Sequence, residues 1–389
     1  MSASDKNVNE VPIEQLIATL KKSSDLMVRR DAILALSKTK NSAALDPLIE
    51  ALKDSCWEVR QIAVRGLRRL GNPKAIEALT HTLQDQEIEV RWEAAHALST
   101  FSDPTFLSLF IALGDEDSNT RLEAVRALGN SRNKQVVIPL ILRLSDSDSW
   151  VRWQTAQGLG QLGSSRAVIP LISALRDDDK KVRGAAAFAL GELGRSSAVA
   201  PLIETLTDVD RTVRENAVLA LGKLGKAAAI QPLLHMLRNN TEHNDTRRGA
   251  AEALSQLGEP AFFLLLQTLE DTDCKVRAYT AWSLIEHCNE NAFQPLLKAL
   301  HDEDGEVRSC AAAALGNIGN KEAVIPLLLL LEDGNSDVRY RASIALGQLG
   351  DPKALPDLEW LANHDMEATS SGERVNQAAI SALEAIKQM

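Results

Sequence analysis

The chain has 389 residues, a net charge of −10, 45% hydrophobic residues and only 4% aromatics. Its apolar content is mostly Ala and Leu, which suits close helix packing and argues against sandwiches or barrels rich in β-branched and aromatic residues. The acidic balance excludes a whole-molecule basic field, so no nucleic-acid partner is expected.

In chain order, residues 1–10 ("MSASDKNVNE") are polar and read as a flexible tail rather than a secretory signal. Residues 11–389 read as one repeat array. A Val-Arg pair or its equivalent recurs, with its arginine at Arg29, Arg60, Arg91, Arg121, Arg152, Arg183, Arg214, Arg247, Arg277, Arg308 and Arg339, at intervals of 30 to 33 residues. Val375-Asn376 marks a degenerate last copy. In each copy an apolar segment such as "AVIPLISAL" precedes an acidic turn and then "VRxxAAxALGxLG". The apolar spacing is helical, and the glycines at Gly163, Gly194, Gly225 and Gly350 suit left-handed helix ends. Asp148, Asp179, Asp210, Asp273 and Asp304 stand four residues before the arginine, where they cap the second helix. A second Asp series, six residues before it, reads with the arginines as a structural ladder between turns. Neither helix of a unit buries its apolar face alone, so the expected fold is all-α, a right-handed α-solenoid of about twelve helix pairs.

Within the second helix, Val, the Ala pairs and Leu must pack. The free positions are the two before Val-Arg, the two after it, the one between the Ala pairs and the one after the first Gly. Along the chain these hold Trp57, Arg65, Trp92, Glu93, His96, Arg126, Trp150, Trp153, Gln157, Tyr279, Trp282 and Tyr340. Five of the six tryptophans therefore fall on variable positions, with Trp360 alone in a first helix. Trp57, Trp92 and Trp153 are expected to form an aromatic strip flanked by Arg65, His96 and Arg126. A row of exposed aromatics marks a binding surface.

The chemistry of other classes is missing. No His-Glu dipeptide provides di-iron ligands, no Gly-x-Ser-x-Gly elbow appears, and the recurrent glycines are helix ends rather than a phosphate loop. Cys274, Cys288 and Cys310 fall in neighbouring repeats, but their spacing is no known ligand pattern, and no metal site is expected. Four scattered cysteines without a CxxC pair fit a reducing, cytoplasmic compartment. No apolar run reaches the roughly 18 residues of a membrane span. Two turns, 239–246 ("NNTEHNDT") and 364–374 ("HDMEATSSGER"), are longer than the rest.

The copies at 167–194 and 323–350 resemble the HEAT-like repeat of the phycobilisome-lyase type. The resemblance implies that the second helices line a concave surface. It leaves two functions open. One is a non-catalytic scaffold that holds a protein partner on that face. The other is a phycobilin lyase or chromophore-handling protein acting on a phycobiliprotein, with arginines on bilin propionates and tryptophans on its rings. No cofactor is required by the first; bilin is the ligand of the second, and no catalytic residue is singled out.

Overall fold

The computed structural model describes residues 12–39, 41–101, 106–131, 133–287 and 289–388. The expected tail at 1–10 and Cys288 lie outside them. Among the described residues there are 24 α-helices, alternating short and long as first and second helices of twelve pairs. Among the described residues one β-bridge, Ala368 with Arg374, sits in the last lengthened turn. The fold is an all-α solenoid. Among the described residues no helix is long and apolar enough to cross a membrane. The chain divides into two compact units, Met1–Leu193 and Gly194–Met389.

One pair shows why the sequence folds this way. The first helix, Val137–Leu142, is preceded by a 3-10 turn, Lys134–Val136, whose Asn133 side chain accepts from Gln135 N–H. A second 3-10 turn ends it, and Asp146 starts the acidic loop. The second helix, Ser149–Leu162, opens on Asp148, which accepts from the backbone N–H groups of Trp150 and Val151. It closes on Gly163 in the left-handed region at φ 66°. Its buried residues are Val151, Thr155, Ala156, Gly158, Leu159, Gly160 and Leu162, the positions the repeat holds constant. Asp179, Asp210, Asp273 and Asp304 cap their helices in the same way. The 3-10 turns before the first helices were not foreseen; Asn or Asp caps several of them, as at Asn41, Asn72, Asn320 and Asp351.

Within each unit the ladder joins neighbouring turns. Arg121 donates from Nε and Nη2 to both carboxylate oxygens of Asp146 at 2.9 and 2.6 Å. Its Nη1 reaches back to the carbonyls of Asp115 and Glu116 in its own turn, both at 2.9 Å. The Asp146 carboxylate also accepts from the Asp148 N–H, so one carboxylate shapes its loop and ties it to the preceding repeat. Arg60, Arg152, Arg277 and Arg308 repeat the fork on Asp85, Asp177, Asp302 and Asp333. The pattern bends at the lengthened turns. Arg214 forks Glu242 instead of an Asp, both bonds at 2.7 Å. Arg247 turns to the Leu237 carbonyl and to Asp273. Arg339 divides between Asp365 and Glu367.

Candidate binding face of the second helices

The N-terminal unit gathers the predicted polar residues into one network. Three second helices supply it: Trp57–Leu70, Ile88–Leu98 and Ser118–Asn130. Glu93 is 2% exposed and receives Arg65 Nε at 2.7 Å, with Arg68 Nη2 at 3.6 Å from its other oxygen. Arg68 Nη1 lies 2.7 Å from His96 Nε2. His96 Nδ1 lies 3.2 Å from a Glu123 oxygen that Arg126 Nη2 also reaches at 2.5 Å. Arg126 Nη2 also lies 3.0 Å from His96 Nδ1, so the imidazole stands between two guanidinium groups. Trp92 stacks on the His96 ring, the planes 6° apart and the centroids 5.9 Å apart. Buried Glu93 and Glu123 thus hold arginines whose guanidinium groups reach the surface.

A second grouping is aromatic. Trp150 and Trp153 meet edge to face at 5.5 Å, and Lys181 Nζ sits 3.7 Å from the Trp150 ring centre. Trp150 remains 49% exposed and Trp57 36% exposed. In the C-terminal unit, Arg248 lies over Trp282 at 5.2 Å and Arg247 over Tyr279 at 5.7 Å. Trp282 also borders a cavity of about 70 Å³ with Glu252, Glu286 and His287. Tyr340 is half-buried beside Arg341 at 5.8 Å.

The sequence matches the HEAT repeats family over residues 45–113, 107–179, 169–255, 263–334 and 326–388. The chain belongs to the HEAT repeat family. The PBS lyase HEAT-like repeat matches at residues 28–54. Among solved structures, importin beta is 15% identical with a TM-score of 0.62, over 97% of this chain and 66% of that one. Kap121p bound to Ste12p is 14% identical with a TM-score of 0.65, over 96% of this chain and 49% of that one. Kap121p bound to Pho4p gives 14% and 0.65, over 98% and 50%. The chain thus spans just under two thirds of importin beta and about half of Kap121p, and identities this low show the fold alone. No match is found among curated protein sequences.

Set on the HEAT repeat, the expected surface needs three corrections. Glu93 and Tyr279, read as outward-facing, are 2% and 6% exposed. Both stand three residues after the repeat's Val, and side chains there pack back onto the preceding second helix. Arg68 and Arg247 on those helices are their partners. Second, the aromatic strip through Trp57, Trp92 and Trp153 does not form. Among the described residues no ring contact joins the three; Trp92 pairs with His96 and Trp153 with Trp150. Third, the network includes Arg68 and Glu123, and the aromatic pair includes Lys181, none of them singled out from sequence. A signal existed for two. Arg68 ("GLRRLG") replaces the first glycine of LGxLG, and Glu123 aligns with Glu93.

Two other features bear on chemistry. Burial, reinforced by Glu306, pushes the Cys310 thiol up to about 12, which keeps it protonated at neutral pH. In the lengthened turn, Glu215, His243 and Asp245 converge closely enough to hold a cation. Arg211 already occupies that place, donating to all three at 2.7 to 2.9 Å. Large apolar side chains are also exposed on the first helices, at Ile138, Leu142 and Ile169. The restriction of candidate residues to second helices had passed these over.

Proposed function

We propose that this chain is a protein-binding scaffold that presents its second helices to a partner. The observation that supports it is the exposure of Trp57, Trp150 and Trp282 on helices whose opposite side is core. Trp150 and Trp282 are held from beside by a cation, so they are ordered before any partner arrives. Ordered, half-exposed tryptophans are the side chains that most often dominate binding energy. The Trp57→Ala/Trp150→Ala double variant should keep the thermal midpoint within a few degrees and lose at least about 2 kcal/mol of partner affinity. A pull-down compared with the unaltered chain, followed by titration of the captured protein, measures both. Unchanged affinity with an intact fold would remove the second-helix face as the docking surface.

A second reading, a phycobilin lyase or chromophore-handling protein acting on a phycobiliprotein, draws on the PBS lyase HEAT-like match at 28–54. Trp92 beside Arg65 and Arg126 offers a stacking ring and propionate partners of the required kind. The match covers one repeat, which builds structure in any array of this type, so the scaffold is the preferred reading. Mixing with free bilin decides between them: a red-shifted, protein-bound absorbance favours the second, and an unshifted spectrum removes it.

A further inference from the structure

We infer that the network on the second to fourth repeats is a docking site for an acidic peptide segment of a partner, with its carboxylates on Arg65 and Arg126. This rests on the scaffold reading and names the chemistry of one part of its face.

The position six residues after the repeat's Val is held by Leu34, Arg65, His96, Arg126, Gln157 and Phe188 along the N-terminal unit. Second helices pack side by side at about 10 Å, so these residues form a row. Its centre is basic and its ends, Leu34 and Phe188, are exposed and apolar. The chain as a whole is acidic, at −10, so the basic centre is a local exception.

Charge and hydrogen-bond capacity both leave room for an anion. Arg65, Arg68 and Arg126 face two carboxylates, Glu93 and Glu123, with the His96 ring among them. One positive charge is in excess. Arg65 donates to Glu93 through Nε, leaving both terminal amino groups for an incoming acceptor. Arg126 uses one amino group on Glu123 and His96, leaving Nε and the other. Both side chains are roughly two-fifths exposed. The open edge of Arg65, two parallel N–H groups, matches a carboxylate in a two-bond fork, while Arg126 offers single N–H donors. Because buried glutamates already fix these arginines, little side-chain freedom remains to be lost on binding.

The same geometry argues against nucleic acid. Glu93 and Glu123 lie beneath the arginines, and a phosphate backbone needs a longer cationic track than this short row supplies. A short peptide needs only a local match and gains from its apolar side chains against Trp57 and Trp92.

The test is fluorescence anisotropy of the full chain with a short labelled peptide of Glu and Leu, and with the same peptide carrying Gln for every Glu. The Glu peptide should bind at least about tenfold more tightly. The Arg65→Gln/Arg126→Gln variant should lose about tenfold or more on the Glu peptide and little on the Gln peptide. Arg69→Gln, an exposed residue on the same helix, should leave both unchanged. Should the double variant melt early, Arg126→Gln alone carries the comparison. Equal binding of the two peptides, no effect of the arginine changes, or tighter binding of a single-stranded DNA of matched length would overturn the inference. The tryptophan double variant reports separately: if it loses its partner while the peptides are not told apart, the scaffold stands and the acidic segment falls.

Discussion

Arg121 shows what a single ladder residue contributes. It is 8% exposed, forks one carboxylate and satisfies two carbonyls of its own turn. Removing it strands a buried Asp146 and two acceptors, so Arg121→Ala should cost about 3 kcal/mol in chemical denaturation, the usual scale for breaking a buried pair. Arg69→Ala, at an exposed place on a second helix, should stay within about 0.5 kcal/mol. Equal shifts for the two would contradict the ladder. Acid carries a further signature. Burial pushes the Asp146 carboxyl up, but the Arg121 fork and the Asp148 N–H outweigh it and hold the group below the usual carboxylate range. Asp302 and Asp333 are lowered through Arg277 and Arg308 against the same burial. Groups depressed in the folded state contribute stability that is present above the ordinary carboxylate value, about 4, and lost as pH falls through the folded value. The ladder's share of the thermal midpoint should therefore be flat from pH 7 to about 5 and fall below about 4. A decline between pH 7 and 5 that disappears in Arg121→Ala would show the sign to be wrong.

Between elements, glycine plays two separable parts. At Gly129 and Gly158 successive second helices touch backbone to backbone; a Cβ on Gly129 would stand 2.8 Å from the Gly158 Cα. Gly163 has open space around it but sits at φ 66°. Gly129→Ala should cost about 1–3 kcal/mol by forcing the helices apart, and Gly163→Ala about 1–2 kcal/mol by backbone strain. Asparagine tells the causes apart: it tolerates the left-handed region, so Gly163→Asn should be milder than Gly163→Ala, while Gly129→Asn should be worse than Gly129→Ala. Thermal melting of the four variants checks the order, and the reverse order at either site would refute its assignment. What could be read from sequence follows the same division. Period, caps and ladder were legible because each is local and repeated many times, so Asp148, Gly163 and Arg121 announce their roles. The facing of a variable position was not, because a one-dimensional period does not say which neighbour that position meets. Glu93 and Tyr279 therefore looked free, yet they fill the contact between successive second helices. Lys181 likewise gained its role only when its repeat was set beside that of Trp150.

At the scale of the array, each repeat is stabilised mainly by its neighbours, so protection should follow the local supply of buried contacts rather than one global value. The two outermost described helices differ in that supply. Ile13–Lys22 has no buried residue, and Pro12 before it makes no side-chain cap. Val375–Gln388 buries Val375, Ala378, Ala379, Ala382, Leu383 and Ile386. Its preceding turn is also tied down: Arg339 holds Asp365 and Glu367, and Asp337 accepts from the Ser370 N–H and hydroxyl. Lys180–Leu193, inside the N-terminal unit, buries nine of its fourteen residues. Native-state hydrogen exchange should therefore find Ile13–Lys22 close to free-chain rates, Val375–Gln388 intermediate and Lys180–Leu193 slowest. Removing the last turn's anchor by Asp365→Asn/Glu367→Gln should speed exchange in Val375–Gln388 while leaving Lys180–Leu193 unchanged, because the anchor's bonds stay within the last two repeats. Equal protection of the two outer helices would mean that burial and anchoring do not set local stability here. A loss at Lys180–Leu193 in the anchor variant would mean that the array opens as a single cooperative unit.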